Sequence, residues 1–141
     1  SLVSTNNNGW PTGSGRGVPY PFNSLGRIDL AMAPSDNEVL YAQVADVDNF
    51  TVRGVWKTTD GGNTWSQVAT TNDIGGCAGP GNQAWYDMGI TVAPDDPDTL
   101  FLSAVDLFRS TDGGITFTNV TCGYAGGPAN GDFVHVDHHA R

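Results

Sequence analysis

The chain has 141 residues, with fifteen Asp plus Glu against six Lys plus Arg, a formal net charge of −9. That length allows a real hydrophobic core; the charge opposes binding to phosphate backbones, so nucleic acid is not an expected partner. No apolar run approaches the roughly 20 residues that span a bilayer, so no membrane span is expected.

Nineteen glycines, a single lysine at Lys57 and frequent Thr, Val and aromatic residues disfavour exposed helices and favour short strands joined by turns. Residues 1–25 are rich in Asn, Gly, Ser and Pro. They read as a loop or as the end of a preceding unit, with Trp10 as its closing aromatic. No signal peptide opens at Ser1, so a secreted product would be seen here in mature or partial form. Ile28, Leu30 and Met32 then alternate with Asp29 and Ala31, the period of two that marks a strand. A turn at Pro34 and a strand over 39–44 follow. Two further strands flank Asp60-Gly61-Gly62, and Asp-Gly between alternating apolar runs is a strong hairpin signal. A Gly-rich loop fills 71–84. Met88, Ile90 and Val92 open a second set of elements: a turn at Pro94 and Pro97, a strand over 99–103, and two strands around Asp112-Gly113-Gly114. Near the end, 133–140 reads as a first strand with no partner set after it.

The two sets repeat one another. Val55-Trp56-Lys57-Thr58-Thr59-Asp60-Gly61-Gly62-Asn63-Thr64-Trp65 aligns with Leu107-Phe108-Arg109-Ser110-Thr111-Asp112-Gly113-Gly114-Ile115-Thr116-Phe117 at an offset of 52. Ala33-Pro34-Ser35-Asp36 through Tyr41 aligns with Ala93-Pro94-Asp95-Asp96 through Phe101 at an offset of 60. The eight-residue difference is extra loop between Tyr41 and Val55, and Asn49 falls inside it. Four antiparallel strands in about 50 residues is the size of a propeller blade.

The pattern Thr58-x-Asp60-x-Gly62-x-Thr64-Trp65, recurring as Ser110-x-Asp112-x-Gly114-x-Thr116-Phe117, resembles the Asp box, or bacterial neuraminidase repeat. Its residue types have a structural reason. A short carboxylate accepts the backbone N–H groups that a tight turn leaves unpaired, glycine permits positive φ, and the aromatic residue covers the turn. The order Trp85-Tyr86-Asp87, Asp box, then His135-x-Asp137-x-His139-Ala140 looks like secreted bacterial propellers of the sortilin-like and sialidase-like group, in which a strand opens with Trp-Tyr-Asp. The resemblance covers residues 26–140. It implies an all-β fold: a partial β-propeller of four-stranded antiparallel blades with Asp-box hairpins. The expected organisation is residues 1–25 as the end of a preceding blade or a loop, 26–70 a blade with its Asp box at 58–65, 71–84 a Gly-rich loop, 85–121 a blade with its Asp box at 110–117, and 122–141 a loop and the first strand of a next blade. In such families the Asp box lies at the blade periphery, so Asp60 and Asp112 are expected to be structural rather than catalytic. The sialidase catalytic set is not carried across: Arg27-Ile28 lacks the following proline, and the one glutamate, Glu38, is expected in a turn.

Other residues are candidates for chemistry. His135, Asp137 and His139 alternate on one strand and share a face. They suit a divalent metal, a ligand or a partner. Trp85 and Tyr86 could form a platform for a sugar ring, with Asp87 for its hydroxyls; the alternative is core packing. The run 95–98 could hold calcium or be a solvated turn. Cys77 and Cys122 suit a disulfide in an oxidising compartment. Asn49 and Asn119 head glycosylation sequons, with Asn49 the better placed.

Three functions fit: an extracellular binding or assembly scaffold with a carbohydrate or protein ligand; part of a glycoside hydrolase whose carboxylates lie partly elsewhere; and a surface glycoprotein whose copies complete each other's blades. The partners expected are the rest of the propeller or further copies of this chain, at the cell surface or outside the cell.

Overall fold

The computed structural model describes residues 8–11, 25–47, 49–74, 81–123 and 138. Among these residues, eight strands form two four-stranded antiparallel sheets, each with its strands in chain order. The first sheet comprises β1 (Leu25–Ala33), β2 (Asp36–Asp46), β3 (Val52–Thr58) and β4 (Ser66–Thr70). The second comprises β5 (Gly89–Val92), β6 (Leu100–Ser103), β7 (Leu107–Ser110) and β8 (Thr118–Asn119). Between them lie a 3-10 turn (Thr71–Asp73) and one turn of α-helix, α1 (Ala84–Asp87).

The register follows the repeat. Leu40 pairs with Thr58 in the first sheet, and Leu100 pairs with Ser110 in the second. Both pairs sit at the mouth of the aspartate hairpin. The second sheet closes β6 onto β7 through 104–106, with the Ala104 N–H donating to the Asp106 carbonyl at 2.9 Å. The first sheet spends its extra residues differently. β2 and β3 run further, and the arm between them closes with the Asp46 N–H on the Thr51 carbonyl and the Phe50 N–H on the Asp46 carbonyl.

The two sheets share one core. Tyr41, Val55 and Ala69 from the first sheet join Ile90, Leu100, Leu102 and Phe108 from the second, all at 2% exposure or less. Each such side chain contributes about 1.5–3 kcal/mol relative to an exposed one. A smaller cluster on the opposite face of the first sheet holds Ala42, Val44, Trp56 and Trp65, with Trp10 packed on it. Trp10 meets Trp65 edge to face at 4.7 Å, and the Trp65 N–H donates to the Asn8 carbonyl.

Two expectations change, at residues 84–87 and at Glu38. The alternating Ile28, Leu30 and Met32 form a strand, and they lie on the face turned away from the second sheet. Leu30 and Met32 are about half exposed, while Asp29 and Ala33 between and beyond them are buried. Residues 84–87 do not open a strand; they form a helical turn before β5. Glu38 lies within β2 rather than in a turn.

Candidate functional site

Both aspartate hairpins use the same bonds. The Thr58 hydroxyl donates to Asp60 Oδ1 (2.7 Å) and accepts the Gly62 N–H (3.0 Å). Asp60 also accepts the Thr64 N–H (2.8 Å) and its hydroxyl (2.6 Å). In the second sheet Ser110, Asp112, Gly114 and Thr116 repeat this with bonds of 2.8, 2.9, 2.9 and 2.6 Å. Gly61 and Gly62 hold φ of 67° and 91°, and Gly113 and Gly114 hold 73° and 87°. These are left-handed values that a Cβ disfavours. Trp65 caps its turn by donating its indole N–H to the Gly62 carbonyl at 3.1 Å. Phe117 packs on the core without such a bond, having no donor. The hydroxyl and N–H donors of Thr64, then the Thr58 hydroxyl, pull the Asp60 carboxyl from 3.8 to about 2. Thr116 and then Ser110 do the same for Asp112. Every oxygen of these carboxylates is engaged by the turn.

The hairpin ends also tie the blades together. Tyr41 donates its hydroxyl to the Pro97 carbonyl at 2.8 Å, and Lys57 pairs with Asp98 at 2.6 Å. The 95–98 run is a turn in which Asp96 accepts the Asp98 N–H and the Thr99 hydroxyl. Among the described residues no group of three or more His, Cys, Asp or Glu could hold a metal. His135, Asp137 and His139 lie outside the described residues.

The exposed chemistry gathers around α1. One helical turn places residues three apart on one face and sends the two between them the other way. Ala84 and Asp87 accordingly face inward at 0% exposure, while Trp85 and Tyr86 are 59% and 43% exposed. The two rings lie 5.4 Å apart at 48°. Three bonds from three strands or loops hold this turn. The Ala84 N–H donates to the Phe50 carbonyl (2.9 Å), Arg27 Nη1 donates to the Tyr86 carbonyl (2.7 Å), and the Ser103 hydroxyl donates to the Asp87 carbonyl (2.9 Å). Asp87 thus does not share the surface of the aromatic pair; it is buried beneath it. Arg27, an exposed residue of β1, reaches the pair's backbone through its bond to the Tyr86 carbonyl. Its motif is visible in the sequence, but its bond spans 59 positions and has no local signal.

Below α1 the blade junction is polar. Gln43 Nε2 donates to the Ser103 carbonyl at 2.8 Å, and the Ile90 N–H donates to Asp29 at 3.0 Å. Asp106, fully buried, accepts from Asn119 Nδ2 and the Gly123 N–H, both at 2.6 Å. Asn119 also accepts from the Thr121 and Cys122 N–H groups, so its side chain is enclosed in local structure. Asn49, by contrast, is exposed, with its Oδ1 accepting from Thr51. Cys122 is disulfide-bonded, and Cys77 lies outside the described residues. On the outward face of the second sheet, Gly89, Thr91, Phe101, Leu102, Ser103 and His138 line a cleft of about 140 Å³.

No family model matches this chain. It is 29% identical to the xyloglucanase Xgh74A of Acetivibrio thermocellus, across 74% of this chain and 13% of that protein. It is 30% identical to a xyloglucanase of a Paenibacillus species, across 74% of this chain and 11% of that protein. The chain therefore spans about an eighth of the length of these relatives or less. Among solved structures it resembles the GH74 enzyme of Niastella koreensis, with a TM-score of 0.51 and 24% identity over 65% of this chain and 14% of that one. The shared fold makes the two sheets blades of a partial β-propeller. No helix among the described residues is long and apolar enough to cross a membrane.

Proposed function

We propose that this chain is two blades of an extracellular Asp-box propeller that binds neutral glycans through the surface carried by α1. The exposed Trp85–Tyr86 pair carries this reading. Two large rings left in water beside a buried core are costly to leave unoccupied, and aromatic faces stack on the apolar faces of sugar rings. The net charge of −9 disfavours acidic polysaccharides. Xyloglucan, the substrate named for the relatives, is the first glycan to test. A disulfide between Cys77 and Cys122 and a glycan on Asn49 fit the same extracellular setting.

The xyloglucanase relatives favour a second reading, in which the chain is part of a glycoside hydrolase. The described carboxylates support it less directly. Asp60 and Asp112 are consumed by their turns, and Asp29, Asp87 and Asp106 are buried.

Affinity electrophoresis of the intact protein in xyloglucan gels tests the first reading. Retardation is expected, and Trp85→Ala is expected to weaken binding by roughly tenfold, the loss of one stacked ring. No retardation by xyloglucan or by other neutral glucans would end the proposal. Release of reducing ends from the same polymer would promote the hydrolase.

A further inference from the structure

We infer that the glycan site does not end at α1 but continues onto the extended arm of the first blade. Phe50 would then be a further contact, and the ligand an extended oligosaccharide lying across the blade junction. This rests on the glycan-binding reading above. Three observations on Phe50 support it.

Its carbonyl accepts the Ala84 N–H at 2.9 Å, so the arm and the aromatic turn share one rim. Its side chain is 46% exposed, which makes Phe50, Trp85 and Tyr86 three exposed aromatic residues on two adjoining backbone segments. Its φ is 63°, in the left-handed region where a bulky side chain is strained. The bond to Ala84 comes from the Phe50 backbone and would be made as well by glycine or asparagine, which tolerate that φ. A strained, half-exposed phenylalanine where a small residue would serve the fold points to a use for its ring. The arm itself exists because the first repeat carries eight residues that the second lacks.

A ligand long enough to reach from Trp85 and Tyr86 to Phe50 should depend on all three rings, and a short one only on the first two. The test compares cellobiose, cellohexaose and xyloglucan heptasaccharide by titration calorimetry on wild-type protein, Phe50→Asn and Trp85→Ala. Asparagine suits the backbone and keeps the Asn49 sequon intact, so Phe50→Asn is expected to melt within a few degrees of wild type. It should weaken the two longer ligands several-fold and leave the disaccharide unchanged. Trp85→Ala should weaken all three. If Phe50→Asn weakens no ligand, or weakens short and long alike, the extended site is wrong while the aromatic pair stands. If Trp85→Ala changes nothing, the glycan-binding reading fails and the extension falls with it.

Discussion

The two blades carry equivalent residues in unequal surroundings. Leu30 is 48% exposed and its counterpart Ile90 is 2% exposed; Met32 is 56% exposed and its counterpart Val92 is 7% exposed. On the other face the order reverses: Tyr41 is fully buried, and its counterpart Phe101 is 39% exposed. Each blade has one apolar face turned backward along the chain and one turned forward. The backward face of the second blade and the forward face of the first meet and bury one another. The remaining two faces have no four-stranded neighbour among the described residues. Burial here belongs to the junction between blades rather than to the position within a blade, and the same repeat position is core in one copy and surface in the other.

The sharpest way to break this comparison is substitution in the shared core against substitution on the open face. Phe108→Ala should cost about 3–5 kcal/mol. Phe101→Ala, on a neighbouring strand of the same blade but facing outward, should cost under about 1 kcal/mol. Urea unfolding of both variants checks this, and equal losses would mean that the outward face is as well packed as the junction.

The hairpins are where the blades should behave alike. Asp60 and Asp112 both titrate near 2 instead of 3.8. A depressed carboxyl pKa contributes stability that is fully present above the ordinary value and disappears as pH falls through the folded value. Stability should therefore decline between about pH 4 and about 2. Asp60→Asn and Asp112→Asn should each flatten that decline by a similar amount in acid titrations followed by circular dichroism. A large difference between the two would show that one hairpin carries a role beyond its turn.

The smallest expected effect separates two aromatic counterparts. Tyr41→Phe removes the bond to the Pro97 carbonyl and should cost about 1 kcal/mol. Phe101→Tyr adds a hydroxyl on an exposed ring and should change the melting temperature hardly at all.

Much of the architecture is legible without coordinates. The repeated Asp-Gly-Gly, with its flanking Thr or Ser and aromatic residue, announces the hairpin because its bonds run within seven residues of chain. The extra residues of the first repeat are equally visible as a difference of offsets. Two features are not legible. The period of two in Ile28, Leu30 and Met32 marks a strand, but which of its faces meets the second blade depends on a partner 60 residues away. Trp85-Tyr86-Asp87 follows a Gly-rich loop and precedes a strand, and nothing local requires a helical turn. That turn is held by Phe50, Arg27 and Ser103, each remote in sequence.

The chain's own order of residues thus determined the units: four-stranded sheets, their hairpins, and the length of the arm between β2 and β3. Those features rest on backbone bonding and side-chain period, which act over a few residues. Only the stacking of the sheets decided which apolar faces are core, that Asp87 is buried, and that Trp85 and Tyr86 stand in solvent beside Phe50. Those outcomes depend on surfaces that meet only after both blades have formed.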